Sequence, residues 1–179
     1  DSIGTGINTM VPAYIILTLA WTIGTLCQKY LGTGHYIGML VQTSHLPMEL
    51  LPAIVFLVAA GLSFSIGTAW GTFGLFIPIV VFICQNATPE IMTVTLSATL
   101  AGAVFGDHCS PISDTTILSS SGAGCNHMQH VSTQIPYACL VAACCFVSYL
   151  VAGFSGGSVI LTLLSGIILL MGALLVLHK

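Results

Sequence analysis

The chain has 179 residues, 56% hydrophobic and only 4% charged by type, with a formal net charge of −3 and a mean hydropathy of +1.05. A soluble domain carries about a quarter charged residues, whereas the charged positions here are Asp1, Lys29, Glu49, Glu90, Asp107, Asp114 and Lys179. Such a composition cannot build a water-solvated surface, its two basic residues cannot neutralise a nucleic-acid backbone, and disorder requires the opposite balance of hydrophobicity and charge. An integral membrane protein of all-α class is expected, a multi-pass helical bundle, with no nucleic-acid partner.

The opening run Asp1-Ser2-Ile3-Gly4-Thr5-Gly6 lacks a basic region followed by a short apolar stretch, so no signal peptide is read there. It reads as mid-sequence, and an N-terminal half of the same protein is expected to precede it. The seven cysteines are odd in number and form no CxxC pair, so neither a disulfide framework nor a zinc ribbon is expected. Cys84, Cys139, Cys144 and Cys145 lie in apolar stretches, where a thiol acts as a small hydrophobe.

A helix needs about 20 apolar residues to cross a hydrocarbon core. Residues 10–28 meet that length, with Pro12 near the start. Residues 33–45, with glycines and histidines, read as a short interfacial helix. The apolar region 47–84 would be about 57 Å long as one helix, and its polar interruption at Ser63–Thr72 suggests a re-entrant hairpin or two short spans.

Next, Thr88-Pro89-Glu90 reads as N-cap, first-turn proline and first-turn acid of a discontinuous helix over 89–121. Gly106 and Pro111 are expected to open its backbone, with Asp114 capping a short second half. Two further spans, 133–153 and 158–177, are joined by the turn at Phe154–Ser158.

Asp107 and Asp114 carry the functional expectation. A carboxylate at the bilayer centre costs at least about 2.5 kcal/mol and needs a partner or a purpose. Ser110, Ser113, Thr115, Thr116, Ser119, Ser120 and Ser121 crowd around the pair, and Ser63, Ser65, Thr68 and Thr72 lie in the other interrupted segment. Carboxylates, hydroxyls and unwound carbonyls are hard oxygen ligands suited to Na⁺. One carboxylate that takes either Na⁺ or H⁺ suffices for an exchanger.

Plainer roles stand beside this one. Asp114 could be only a helix cap, and Asp107 a solvated loop acid at the interface. Gly67 and Gly71 at GxxxG spacing serve close helix packing more often than binding. His108, beside Asp107, is a candidate for a proton relay. Cys125-x-His127-x₂-His130 matches no standard zinc spacing and reads as a loop. An intramembrane hydrolase would want GxGD, but Ala103-Val104-Phe105-Gly106-Asp107 lacks the first glycine; Leu118-Ser119-Ser120-Ser121-Gly122 likewise lacks the leading glycine of GxSG.

The strings Ser65-Ile66-Gly67-Thr68-Ala69-Trp70-Gly71-Thr72, Gly106-Asp107-His108-Cys109-Ser110-Pro111-Ile112-Ser113-Asp114-Thr115-Thr116 and Gly122-Ala123-Gly124-Cys125, with residues 127–137 as the loop into the next helix, closely resemble the NhaC-type sodium/proton antiporter family. The resemblance implies a multi-pass exchanger of the inner (cytoplasmic) membrane that moves Na⁺ against H⁺ in pH homeostasis and needs no cofactor. It also implies inverted repeats, each with a re-entrant hairpin and a discontinuous helix, of which this chain would be the C-terminal one. Substrate then sits at the midplane between hairpin tip and broken helix.

On that basis Na⁺ is expected at Asp114, helped by Asp107. Thr115, Ser110, Ser113, Thr68 and Thr72 complete the coordination, and Gly67, Gly71, Gly106 and Pro111 allow the backbone to open. A homodimer is the candidate assembly. Some similar proteins exchange malate, lactate or amino acids instead, and that alternative cargo stays open.

Overall fold

A computed structural model describes residues 3–8, 11, 15, 18, 19, 22, 26, 29–32, 39 and 47–177. Most of the expected span at 10–28 and the interfacial helix at 33–45 lie outside these residues. Among the described residues the chain is helical throughout, without strands: α1 (Leu51–Ile66), α2 (Ala69–Ile83), α3 (Pro89–Cys109), α4 (Asp114–Gly122), α5 (His127–Phe154) and α6 (Val159–Leu177).

Four described helices are long and apolar enough to cross a membrane. They are Met48–Ile66, which adds a 3₁₀ turn to the front of α1, and α3, α5 and α6, with mean hydropathies of 2.0, 1.2, 2.1 and 2.8. α2 has 15 residues and is shorter. The chain is an all-α membrane protein.

α1 and α2 are separated by two residues, Gly67 and Thr68, and not by the ten-residue polar window that the sequence suggests. Gly67 adopts φ +76°, a conformation that costs glycine nothing, and its N–H bonds the Ser63 carbonyl at 2.8 Å to close α1. The arms share one apolar cluster, in which Leu51, Val55 and Ala59 of α1 join Phe76, Ile79, Val80 and Ile83 of α2.

α3 begins where local rules place it: the Thr88 hydroxyl accepts the Ile91 N–H, Pro89 fills the first position, and Glu90 lies in the first turn. It then packs closely on α1. A Cβ added at Gly102 would run into the Phe56 carbonyl, and one at Gly106 into the Ala60 carbonyl and the Phe64 N–H. Gly106 was expected to unwind the helix; it lies inside α3, which continues to Cys109. Its missing side chain lets two backbones touch, and that packing outweighs glycine's intrinsic helix cost of about 1 kcal/mol. Gly71, likewise expected to open the backbone, is buried inside α2.

The segment from His127, read from sequence as a loop, is the first part of α5. The Asn126 side chain accepts the Gln129 N–H at 3.0 Å and starts the helix six residues before the expected 133. At 28 residues it is about 42 Å long, longer than a hydrocarbon core about 30 Å thick, and its first turns are polar. Gly156 and Gly157, both at positive φ, turn the chain from α5 into α6.

Candidate ion-binding site

The two helix breaks meet. Residues 110–113 separate α3 from α4, and this turn lies against the α1–α2 break. The Gly67 carbonyl accepts the Asp114 N–H at 3.3 Å. A Cβ on Gly67 would sit 2.7 Å from the Ile112 carbonyl, so the approach itself selects glycine. The Ser110 hydroxyl donates to the Phe64 carbonyl at 2.8 Å. That carbonyl belongs to the last turn of α1, where the break opens the chain, so Ser110 serves as a tie between the two breaks.

Asp107 stands at the centre of this crossing, 4% exposed. Its Oδ1 accepts the Ser113 hydroxyl at 2.8 Å and its Oδ2 the Thr115 hydroxyl at 2.8 Å. Ser113 and Thr115 are themselves 2.9 Å apart, oxygen to oxygen. The Ser113 oxygen also takes the Thr116 N–H at 3.2 Å, which fixes its position at the start of α4. The carboxylate's partners are neutral hydroxyls, and among the described residues it has no counter-charge. A proton or a small cation can supply one.

Two hydroxyls near the crossing have no hydrogen-bond partner in the structure: Ser63 Oγ and Thr68 Oγ1, both on fully buried residues. Ser63 lies beside Gly106, whose added Cβ would come within 2.9 Å of the Ser63 Cβ. Thr68 directly follows Gly67. A buried hydroxyl left unpaired costs about 1–3 kcal/mol, and both oxygens retain lone pairs for a cation.

Asp114 occupies a different setting. It is half-buried at the first position of α4, and its Oδ1 accepts the Thr115 N–H at 2.7 Å. The sequence placed the ion foremost at Asp114; the geometry gives the better-enclosed carboxylate to Asp107. Thr72 donates to the Thr68 carbonyl at 3.0 Å, one turn into α2. His108 does not join Asp107: its exposed ring donates from Nδ1 to the Val104 carbonyl of its own helix at 2.9 Å.

Pro111 sits in the turn, and its carbonyl is 2.7 Å from Nε2 of His127. His127 and Ser63 were not among the expected site residues. Ser63 was legible as a hydroxyl in an apolar helix. His127 was hidden in the Cys125-x-His127-x₂-His130 spacing, and among the described residues no three metal-ligating side chains come together there or elsewhere.

The model of the Na⁺/H⁺ antiporter family matches residues 1–154. The chain is 51% identical over 150 residues to an uncharacterized protein of Haemophilus influenzae, covering 84% of this chain and 28% of that one. It is 30% identical over 138 residues to an uncharacterized Na⁺/H⁺ antiporter of the same organism, covering 74% of this chain and 28% of the relative. It is also 29% identical over 157 residues to the malate-2H⁺/Na⁺-lactate antiporter of Bacillus subtilis, covering 85% of this chain and 32% of the relative. The chain therefore spans about a third or less of the length of these relatives. No solved structure matches it. The chain belongs to the Na⁺/H⁺ antiporter family.

Proposed function

We propose that this member of the antiporter family forms the cation-binding part of a secondary transporter that exchanges Na⁺ for H⁺ across the cytoplasmic membrane. The observation that carries this reading is Asp107: a buried carboxylate, held by two hydroxyls, at the crossing of two broken helices. Backbone broken at membrane depth is tolerated where it is buried in protein or lines a cavity, and transporters of this design place their ion there.

Na⁺ and a proton compete for the Asp107 carboxylate. With Na⁺ bound, the oxygens of Ser113, Thr115, Ser63 and Thr68 complete its shell, and the Ser113 and Thr115 hydroxyls turn their protons away from it. When Na⁺ leaves, a proton restores neutrality. Asp114 adds negative charge at the rim, beside the Gly67 carbonyl. Because either ligand removes the buried charge, the loaded states can move across the membrane while the empty carboxylate is held back. The N-terminal half of the longer protein supplies the remaining walls, and the alternation of access is motion of one part against the other.

A second reading keeps the site and changes the cargo. Likeness to the malate-2H⁺/Na⁺-lactate antiporter favours an organic acid carried together with the ions. The positive end of the α4 dipole at Asp114 and Thr115 would face such an anion.

Everted membrane vesicles containing the full-length protein, with an acid-inside pH gradient reported by a fluorescent dye, separate the two. Dissipation by Na⁺ alone, lost in Asp107→Asn, supports cation/proton exchange. A gradient that responds only to malate or lactate moves the protein to the organic-acid reading.

A further inference from the structure

We infer that His127 is a positioning residue for this site: its ring holds the turn between α3 and α4 through the Pro111 carbonyl, and the proton on its second nitrogen sets where the Ser120 hydroxyl points. The inference rests on the ion-exchange reading above and extends it to a residue outside the ion's shell.

The hydrogen-bond inventory around the ring is unusually constraining. Nε2 lies 2.7 Å from the Pro111 carbonyl, which can only accept, so Nε2 carries a proton in every state that keeps this contact. Nδ1 lies 3.1 Å from the Ser120 hydroxyl oxygen. The same hydroxyl is 3.1 Å from the Ile117 carbonyl, another acceptor without a proton. Ser120 has one proton for two claimants.

If the hydroxyl donates to Ile117, Nδ1 must donate to Ser120, and the ring is a doubly protonated cation. If Nδ1 is bare, the hydroxyl turns to it and leaves Ile117. Ser120 is 1% exposed, so water does not relieve the competition.

The charged form makes the Pro111 contact a charge-assisted and stronger bond. Ionisable groups at this end of the surrounding elements are Asp107, His108 and Cys109 of α3, Asp114 of α4, Cys125 in the following turn, and His130 and, farther along, Tyr137 and Cys139 of α5. A positive ring behind the 110–113 turn tightens that turn and repels an incoming cation. Protonation of His127 therefore opposes Na⁺ binding, in addition to direct competition at Asp107.

The test compares His127→Gln, which keeps an N–H donor and an acceptor but cannot titrate, with His127→Ala and Ser120→Ala. Apparent KM for Na⁺ is measured against pH for the full-length protein in vesicles. Each competing proton contributes about a tenfold change in KM per pH unit. The wild type should lose affinity more steeply on acidification than His127→Gln or His127→Ala, and Ser120→Ala, which keeps the titrating ring and its bond to Pro111, should follow the wild type. Parallel curves for wild type and His127→Gln would overturn the inference.

A second measurement needs no transport. A cysteine placed at Ile112 (I112C), with the native cysteines replaced by serine, is labelled with a maleimide at several pH values with and without His127→Gln. Thiol ionisation affects both backgrounds alike. A ratio of labelling rates that changes several-fold with pH supports control of the turn by His127; a constant ratio near one refutes it. Should the wild type show no Na⁺ response, the ion-exchange reading fails, while the labelling still decides the role of His127.

Discussion

Ser113 donates its hydroxyl to Oδ1 of Asp107 at 2.8 Å, across the turn that separates α3 from α4. One half-helix thereby reads the charge state of the other. The same oxygen accepts the Thr116 N–H, so a change at Asp107 reaches the first turn of α4 through Ser113 alone. Ser113→Ala should leave one carboxylate oxygen without its partner, at a cost of about 1–3 kcal/mol. Read as Na⁺ affinity, that is about 5- to 150-fold. Apparent KM in vesicles should rise within that range, and an unchanged KM would place Ser113 outside the ion's shell.

Asp107→Asn and Asp114→Asn should separate. The first removes the only charge on a 4% exposed group and should reduce Na⁺-dependent proton movement to background, with membrane insertion retained. The second removes a half-buried charge that caps its own helix at Thr115. It should leave measurable exchange with weakened Na⁺ affinity. Equal and complete loss in both would make the pair a single binding unit; loss in Asp114→Asn alone would return the central role to Asp114.

Ser63 and Thr68 lead to a trade between stability and binding. Their buried hydroxyls are unpaired in the structure, so removing one relieves a cost of about 1–3 kcal/mol in the ion-free state. Ser63→Ala should therefore raise the thermal midpoint measured without Na⁺. Added Na⁺ stabilises wild type by mass action, about 2.7 kcal/mol at a hundred times Kd, and should stabilise Ser63→Ala less. A variant that gains as much from Na⁺ as wild type would show that Ser63 does not face the ion.

Much of this arrangement is legible in sequence where the cause is local. Thr88-Pro89-Glu90 starts α3 by capping chemistry that depends on adjacent residues alone. The hydroxyl-rich turn after Asp107 is visible because polar side chains in an apolar chain need a reason. The errors arise where the cause is distant. Gly106 reads as a breaker until Ala60 and Phe64 are placed against it. Only Gly67 of the 67/71 pair takes the left-handed conformation, as the cap that ends α1, and the distant Ile112 carbonyl bars a side chain there. His127 has its partner 16 residues earlier, at Pro111, a separation that no spacing rule reports.

Glycines inside the helices also yield the sharpest test of the fold. Gly106→Ala adds a methyl that meets the Ala60 carbonyl and the Ser63 side chain, with no flexible group able to give way. Overpacking of this kind costs about 1–3 kcal/mol. Because Gly106 precedes Asp107, the displacement also moves the carboxylate, so a lower thermal midpoint should come with weaker Na⁺ binding. Gly61, next to Ala60 in α1, has open space where its Cβ would go, and Gly61→Ala should be neutral or slightly stabilising through its gain in helix propensity of about 1 kcal/mol. The pair discriminates because both residues are helical glycines and only the surroundings of the added methyl differ. Similar midpoints for the two variants would mean that α1 and α3 are not in backbone contact at Gly106, and the crossing that positions Asp107 would have to be rebuilt.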